Sequence, residues 1–80
     1  MPRSFHSREY ESFRAMLVEA RKKAGLSQAQ LARKLSRPQS FVSKFERGER
    51  RLDVVEFKAV AEALNVDALR FLRRFYRSIA

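Results

Sequence analysis

The sequence predicts an all-α domain of five short helices. Apolar residues recur every three or four positions along most of the chain, which is the period of an amphipathic helix. Capping signatures stand at the start of several of these stretches, and no stretch alternates between apolar and polar residues as a half-buried strand does. The 80 residues correspond to one domain, 1–80, with residues 1–6 expected to form a flexible arm.

Apolar spacing and end signals predict the first three helices. A first helix covers about 8–24 and is followed by Gly25; its apolar face consists of Tyr10, Phe13, Leu17, Ala20 and Ala24. Ser27 and Gln30 form the S-x-x-Q capping box of a second helix at 28–35, whose inner face is Leu31, Ala32 and Leu35. A third helix covers 38–46, with Pro38 in its first turn and Gly48 after its end; its inward residues are Val42 and Phe45.

The last two helices begin at acidic caps. Asp53 and Glu56 repeat the capping box as D-x-x-E before a fourth helix, whose apolar face is Phe57, Val60, Ala61 and Leu64. Asp67 caps a fifth helix at 67–78, which carries Leu69, Phe71, Leu72, Phe75 and Tyr76. We expect Leu69 and Leu72 to fill the core, which leaves the aromatic residues of this helix without an obvious place inside so small a domain.

Net charge is the first functional indication. The chain carries 18 Lys and Arg against nine Asp and Glu, a formal net charge of +9. The excess is greatest in residues 27–52, where seven basic and two acidic residues give +5, against +3 for residues 1–26 and +1 for residues 53–80. A basic patch favours a polyanion through neutralisation of phosphates and release of counterions, so nucleic acid is the expected partner. An acidic membrane surface and a merely solvated face are the alternatives.

The residue types argue against several other functions. With no cysteine, the chain has neither a disulfide framework nor a thiolate metal site, which fits a reducing cytoplasm. No apolar run approaches the roughly 18 residues of a membrane span, and the N-terminal residues lack the apolar region of a secretory signal, so we expect a cytoplasmic protein. A single histidine, His6, no Gly-rich phosphate loop and no convincing acid pair argue against an enzyme, and we expect neither a cofactor nor a metal ion.

The second and third predicted helices are joined so tightly that they must cross steeply. The close approach requires a small residue on the second helix, Ala32, and an apolar residue, Val42, that wedges inward from the third. The segments "GLSQAQLARKL", "FVSKFERGER" and "VVEFKAVAEALNVDALRFL" together resemble the Cro and lambdoid-repressor type of helix-turn-helix protein, the XRE family, over about residues 13–72. The resemblance implies a lambda-repressor-like fold with the helix-turn-helix at helices 2 and 3, in a nucleoid-associated regulator of bacterial or phage type.

Two positions depart from the pattern of that family. Ser36 stands where the family has glycine in the turn, and Pro38 stands where it has a capping serine or threonine. Serine adopts a turn conformation at modest cost and proline fixes a helical φ, so we expect both to be tolerated.

The resemblance places the third helix in the major groove, where its N-terminal half reads base edges. If Val42 and Phe45 face inward, the outward and base-reading positions are Gln39, Ser40, Ser43 and Lys44. Glutamine bonds adenine in bidentate fashion, lysine suits the acceptors of guanine, and serine is permissive. A solvated face is the alternative, and the serines could instead bond phosphate or backbone. Phe41 is expected to pack against helix 2 rather than touch a thymine methyl.

Phosphate contacts are assigned to residues beside the third helix. The resemblance implies that Gln28, in the first turn of helix 2, bonds a phosphate and braces Gln39, and the N–H groups of a helix start favour an anion there. The other predicted phosphate-binding residues are Arg37, Arg47, Arg50 and Arg51, with Arg3 and Arg8 as weaker candidates. The resemblance also implies a structural ion pair between Arg21 and Glu46, which ties helix 1 to the end of helix 3.

A homodimer is expected, because one reading helix discriminates poorly among genomic sites. Two copies related by a two-fold would read half-sites about one helical turn apart. The predicted interface is the apolar surface of helix 5, formed by Phe71, Phe75, Tyr76 and Ile79. In the alternative, Phe71 or Phe75 packs back onto helix 1 beside Tyr10 and Phe13, and the chain is a monomer that pairs only on DNA.

The sequence therefore predicts a sequence-specific regulator that binds double-stranded DNA and represses transcription. The alternative is an antitoxin or another protein-interaction module of the same fold, for which DNA binding serves autoregulation. Capture of a protein partner from the native host distinguishes the two. A membrane-surface role is disfavoured, because the core needs the apolar faces of the helices.

Overall fold

Five helices make up most of the computed structural model, which describes residues 7–80. They are α1 (Arg8–Lys23), α2 (Gln28–Leu35), α3 (Gln39–Glu46), α4 (Val54–Ala63) and α5 (Ala68–Ile79). No strand occurs within residues 7–80, so the predicted all-α architecture is confirmed. The N-terminal arm with Arg3, and the lone His6, lie outside the described residues.

Side chains cap the start of four helices. Ser27 Oγ accepts from the Gln30 N–H at 3.1 Å, and the Gln30 side chain accepts from the Ser27 N–H at 2.8 Å. Asp53 and Glu56 make the same reciprocal pair before α4, at 2.7 and 2.9 Å. Both predicted capping boxes are therefore present, and each satisfies two backbone donors that a helix start leaves unpaired. The remaining side-chain caps are Ser7 and Asp67.

Helix α3 begins one residue later than the sequence predicted. Pro38 is not in the first turn but at the N-cap, with an extended backbone (φ −65°, ψ 154°) and no side-chain cap bond. The φ of proline suits both the N-cap and the first helical position, so only ψ distinguishes them. Proline also has no hydroxyl or carboxylate that could accept a hydrogen bond from the start of the helix. As a result Gln39 is the first residue of the helix.

The first four helices end in one common motif. After α1, the Gly25 N–H donates to the Lys22 carbonyl at 3.0 Å, and the Leu26 N–H donates to the Arg21 carbonyl at 3.2 Å. This is the Schellman pattern, which needs a left-handed residue just past the helix. The residues with positive φ at these four ends are Gly25, Ser36, Gly48 and Asn65.

The core centres on Phe13 of α1. Its ring centroid lies 5.4 Å from that of Phe57, 5.8 Å from that of Phe71 and 5.2 Å from that of Phe75. Such separations suit tilted and edge-to-face pairs of rings, which favour α4 and α5 packing over α1. Other buried side chains fill the rest of the core: Leu17, Leu31, Ala32, Val42, Phe45, Val60, Ala61 and Leu64.

The structure corrects two predictions for α5. Leu69, which we expected in the core, is 73% exposed. Phe71, which we expected at a dimer interface, is 5% exposed and packs on Phe13 and Phe57. Phe75 is half-buried against Phe13, as the alternative prediction had it. The helix is turned relative to our expectation. Its apolar residues form one wide face, with Leu69 and Tyr76 at one edge and Phe71 and Phe75 at the other, and periodicity does not show which edge meets the core.

Candidate nucleic-acid interface

Helices α2 and α3 cross at small and apolar residues, which aims the rest of α3 outward. Ala32 is 2% exposed and Val42 is completely buried, so the two backbones approach closely. Phe45 is also buried, at 1%. This anchoring leaves the opposite side of α3 facing solvent, as the sequence predicted.

The predicted reading residues lie on that outward side. Gln39, Ser40 and Lys44 are exposed, while Ser43 is half-buried. The hydroxyl of Ser43 donates to the Ser40 carbonyl at 3.3 Å, so its proton is directed at the backbone. Phe41 is 8% exposed, so it is buried as expected, and its ring centroid lies 5.6 Å from that of Phe45 on the same helix. Its packing against helix 2 stays a prediction.

Glu46 connects three elements at the end of α3. Arg21 donates to its two carboxylate oxygens at 2.7 and 3.1 Å, so the ion pair implied by the resemblance is present. The amide nitrogen of Gln28 donates to the same carboxylate at 2.9 Å. No hydrogen bond joins Gln28 to Gln39 within the part of the chain that the structure describes, so the expected brace is absent and Gln28 supports Glu46 instead.

Arg14 holds the same end of α3 through the backbone. Its Nη1 donates to the Glu46 carbonyl at 2.6 Å, which satisfies one of the carbonyls that a helix C-terminus leaves free. Its Nε is buried without a hydrogen-bond partner. This role of Arg14 was not predicted, since nothing local in the sequence relates it to a residue 32 positions away.

Arg37 and Arg50 converge on Glu56 and on the ring of Phe41. Arg50 donates twice to the Glu56 carboxylate, at 3.1 Å each, and Arg37 lies 3.5 Å from it. The Cζ atoms of Arg37 and Arg50 lie 4.3 and 4.8 Å from the Phe41 ring centroid. We call these four residues the arginine clasp. Hydrogen bonds from Arg50 and from the Asp53 backbone N–H hold the pKa of Glu56 below its usual value, so this carboxylate stays ionised.

The remaining two arginines occupy the loop from α3 to α4. Arg47 forms two hydrogen bonds with Glu49, at 2.9 and 3.0 Å, in an exposed pair. Arg51 lies over the Tyr10 ring, with its Cζ 4.6 Å from the centroid. Arg8, the weaker candidate, is exposed at the start of α1. The exposed polar side of α3 is thus bordered by basic groups, of which Arg37 and Arg50 are held in defined positions.

Glu56 has a second role that was not predicted from the sequence. Its spacing from Asp53 identified it as a helix cap, which is correct, but did not indicate that two arginines bind it. A partial signal existed in the run of basic residues on both sides of α3, since a cluster of cations around one acid favours pairing.

Among residues 7–80, no group of His, Cys, Asp and Glu is arranged to hold a metal ion. No helix in that range is both long and apolar enough to cross a bilayer.

Comparison with known proteins identifies relatives of both the sequence and the fold. A helix-turn-helix family model matches residues 17–71. An XRE-family like protein from Pseudomonas syringae pv. tomato is 41% identical, with a TM-score of 0.88 over 94% of this chain and 92% of that chain. No curated protein sequence matched.

Two further solved structures are similar in fold. The wild-type restriction-modification controller protein C.Esp1396I has a TM-score of 0.83 at 22% identity, over 92% of this chain and 97% of that chain. The clp gene regulator ClgR from Corynebacterium glutamicum has a TM-score of 0.79 at 23% identity, over 94% of this chain and 97% of that chain. At these identities the likeness shows the fold alone.

Proposed function

Because the chain belongs to the XRE family of helix-turn-helix proteins, which are DNA-binding transcriptional regulators, we propose that it represses transcription as a homodimer with α3 of each copy in the major groove. The observation that carries the proposal is the exposed polar side of α3, anchored by buried residues and bordered by arginines. Repression requires only that the bound protein exclude others from a promoter, and a DNA-binding domain meets that requirement by itself.

Base reading is assigned to the outward residues of α3. Gln39 is the first residue of the helix and is exposed, so its amide reaches beyond the backbone toward a base edge and suits adenine. Lys44 is exposed over a turn later and suits the acceptors of guanine. Ser40 and Ser43 are the smaller readers; the Ser43 hydroxyl proton is engaged by the backbone, so this residue offers DNA chiefly an acceptor.

Phosphate binding is assigned to the residues that border α3. Gln28 lies at the start of α2, where unpaired backbone N–H groups favour an anion, and its amide has a second N–H beyond the one bound to Glu46. The arginines assigned to the DNA backbone are Arg37, Arg47, Arg50 and Arg51. These contacts set the register of the protein on the duplex without reading sequence.

Homodimerisation is assigned to one side of α5. Leu69 and Tyr76 are 73% and 63% exposed, and Leu72 and Ile79 are half-buried beside them. Their spacing of three, four and three residues is that of the apolar positions of a coiled coil. We call this set the apolar seam. Pairing two seams across a two-fold would remove these side chains from water and would present two reading helices to one duplex.

Selection of bound sites from a random duplex library tests the proposal. We expect the wild-type chain to enrich a palindromic site with half-sites about one helical turn apart. Gln39→Ala or Lys44→Ala should cost about 1–3 kcal/mol on that site and should relax the preference at one position. The thermal midpoint should barely change, because both side chains are exposed.

Lys34→Ala is the matched control for Lys44→Ala. Lys34 is an exposed lysine of α2 beside α4, and its loss changes the net charge equally. We expect this variant to keep the wild-type preference at every position. If the α3 variants also kept it, α3 would not be the reading helix. If no site were enriched at all, sequence-specific DNA binding would be rejected.

A further inference from the structure

The Glu56 carboxylate joins three parts of the chain that border the reading helix. It belongs to α4, it accepts two hydrogen bonds from Arg50 of the α3–α4 loop, and it pairs with Arg37 of the α2–α3 turn. Its side chain is 15% exposed, whereas those of Arg37 and Arg50 are 46% and 36% exposed. The acid is therefore mostly covered and the two cations reach the surface.

Phe41 completes the confinement of these two arginines. Its buried ring lies within 4.8 Å of both guanidinium carbons, so each guanidinium contacts an aromatic ring as well as a carboxylate. A solvated arginine without partners loses considerable side-chain entropy when it binds a phosphate. An arginine that is already held by a carboxylate and a ring has lost that entropy on folding. The arginine clasp thus fixes the positions of the Arg37 and Arg50 guanidinium groups before DNA binds.

Confinement has opposite consequences for the two kinds of DNA complex. On a random duplex, arginines with free side chains would adjust to any phosphate, and the Glu56 charge and fixed geometry oppose this. On the operator, where α3 is seated, the phosphates lie at one register, and fixed guanidinium groups meet them without further ordering. We propose that Glu56 is a positioning residue for DNA recognition, which raises the ratio of operator binding to random binding by holding Arg37 and Arg50. This inference rests on the proposed function.

The chain itself shows which substitution separates this role from helix capping. Glu56 occupies the third position of the α4 capping box, and Gln30 occupies the same position in that of α2. The Gln30 side chain accepts from its cap residue at 2.8 Å and the Glu56 side chain does so at 2.9 Å. Glu56→Gln therefore keeps the cap and removes the charge that holds the arginines.

Glu62→Gln is the matched control. Glu62 lies on the same helix, is exposed, and pairs with Lys58, so its loss changes the net charge equally without touching the clasp. The experiment measures binding of the wild-type chain and both variants to the selected operator and to a random duplex over a series of salt concentrations. Thermal unfolding of each variant confirms that it is folded.

We expect Glu56→Gln to bind random duplex more tightly, by about eightfold at 0.1 M salt if one further phosphate is engaged, with a log–log salt slope steeper by about 0.9. Operator binding should gain less, so the ratio of operator to random affinity should fall. Glu62→Gln should change both affinities slightly and equally. A merely structural role for Glu56 would not steepen the salt slope.

Two outcomes would overturn the inference. One is that Glu56→Gln and Glu62→Gln behave alike; the other is that Glu56→Gln weakens operator and random binding equally. A wild-type chain that bound no duplex would instead refute the proposed function, which the same titration reports separately. If Glu56→Gln failed to fold, Arg37→Gln carries the test, since loss of a positioned arginine should weaken operator binding more than random binding.

Discussion

At the scale of single residues, two carboxylates hold together elements that are distant along the chain. Glu46 is 6% exposed and binds Arg21 and Gln28, so it links α1 and the start of α2 to the end of α3. Glu56 binds Arg37 before α3 and Arg50 after it, so it links the two connections on either side of α3 to α4. The position of α3, which carries the residues proposed to read DNA, therefore depends on both carboxylates.

Arg21→Ala should destabilise the domain strongly. The Arg21 and Glu46 side chains are 11% and 5% exposed, so the substitution leaves a buried carboxylate with only Gln28 beside it. We expect a loss of about 3–5 kcal/mol in the free energy of unfolding, measured by denaturant titration. Lys58→Ala is the control, because its partner Glu62 forms an exposed pair, and it should cost within about 0.5 kcal/mol. Equal losses in the two variants would contradict a structural role for Arg21.

At the scale of the helices, the ends determine how closely the elements pack. Four successive helices end with a left-handed residue, and after α1, α2 and α4 the next helix begins within a few residues. Two of these positions are glycine, and the other two are Ser36 and Asn65. Ser36 has a φ of 56°, so the tight turn between α2 and α3 forms without the family's glycine, at the modest cost that serine incurs in this region.

Gly48→Ala should destabilise the domain more than Gly25→Ala. Both glycines have positive φ, +78° and +76°, so each substitution places an alanine in the left-handed region at a cost of about 1–2 kcal/mol. A Cβ at Gly25 would meet open space, whereas one at Gly48 would lie 3.1 Å from Arg14 Nε. Arg14 would then have to move, and its bond to the Glu46 carbonyl would weaken.

Denaturant titration of the two glycine variants measures the difference. The conformational cost is shared, so the further loss in Gly48→Ala reports the contact with Arg14. Gly48→Ala in an Arg14→Ala background should cost about as much as Gly25→Ala, because the obstructing side chain is absent. Equal losses for both glycine variants in the natural background would refute this account of Gly48.

At the scale of the whole molecule, α5 divides its surface between the core and the outside. Phe71 and Phe75 pack on Phe13, while Leu69, Tyr76 and the arginines of the helix are exposed. Leu72 and Ile79 of the apolar seam are half-buried between these two sides. A seam of this kind is unusual on a monomer, because removing exposed leucine and tyrosine side chains from water lowers the free energy and so favours association. The proposed dimer interface is therefore shifted relative to the sequence prediction, since Phe71 and Phe75 are replaced by Leu69 and Leu72 while Tyr76 and Ile79 remain.

The double variant Leu69→Ser with Tyr76→Ser should be a folded monomer, whereas we expect the wild-type chain to be a dimer. Both side chains are exposed, so the core should be unaffected, but the seam would lose its two most exposed apolar groups. Sedimentation equilibrium at micromolar concentration measures the mass, and operator titration should lose cooperativity in the variant. Val54→Ser with Val55→Ser is the control, because these valines are 74% and 72% exposed on α4, and we expect that variant to remain a dimer. A wild-type mass equal to that of one chain would refute the prediction.

Much of this protein was determined by interactions between residues close in sequence. The two capping boxes, the Asp67 cap and the left-handed Gly25 involve partners within a few positions, so their residue types suffice to predict them. The periodicity of α1 to α4 and the choice of Val42 as the wedge against Ala32 were likewise readable, because each of these helices has a single apolar face. These local features predicted the five helices and the outward side of α3.

Only the tertiary structure decided the rotation of α5 and, apart from the Arg21–Glu46 pair that the family resemblance implied, the partners of the charged residues. The apolar face of α5 is wider than its contact with the core, so periodicity did not show which edge of that face would be buried. The rings of Phe13 and Phe57 pack against Phe71 at one edge, and Leu69 at the other edge is exposed. Arg14 donates to the Glu46 carbonyl across 32 positions, and Arg37 and Arg50 share the Glu56 carboxylate. A long cationic side chain has many acids within reach in the sequence, and which one it binds depends on how the helices pack.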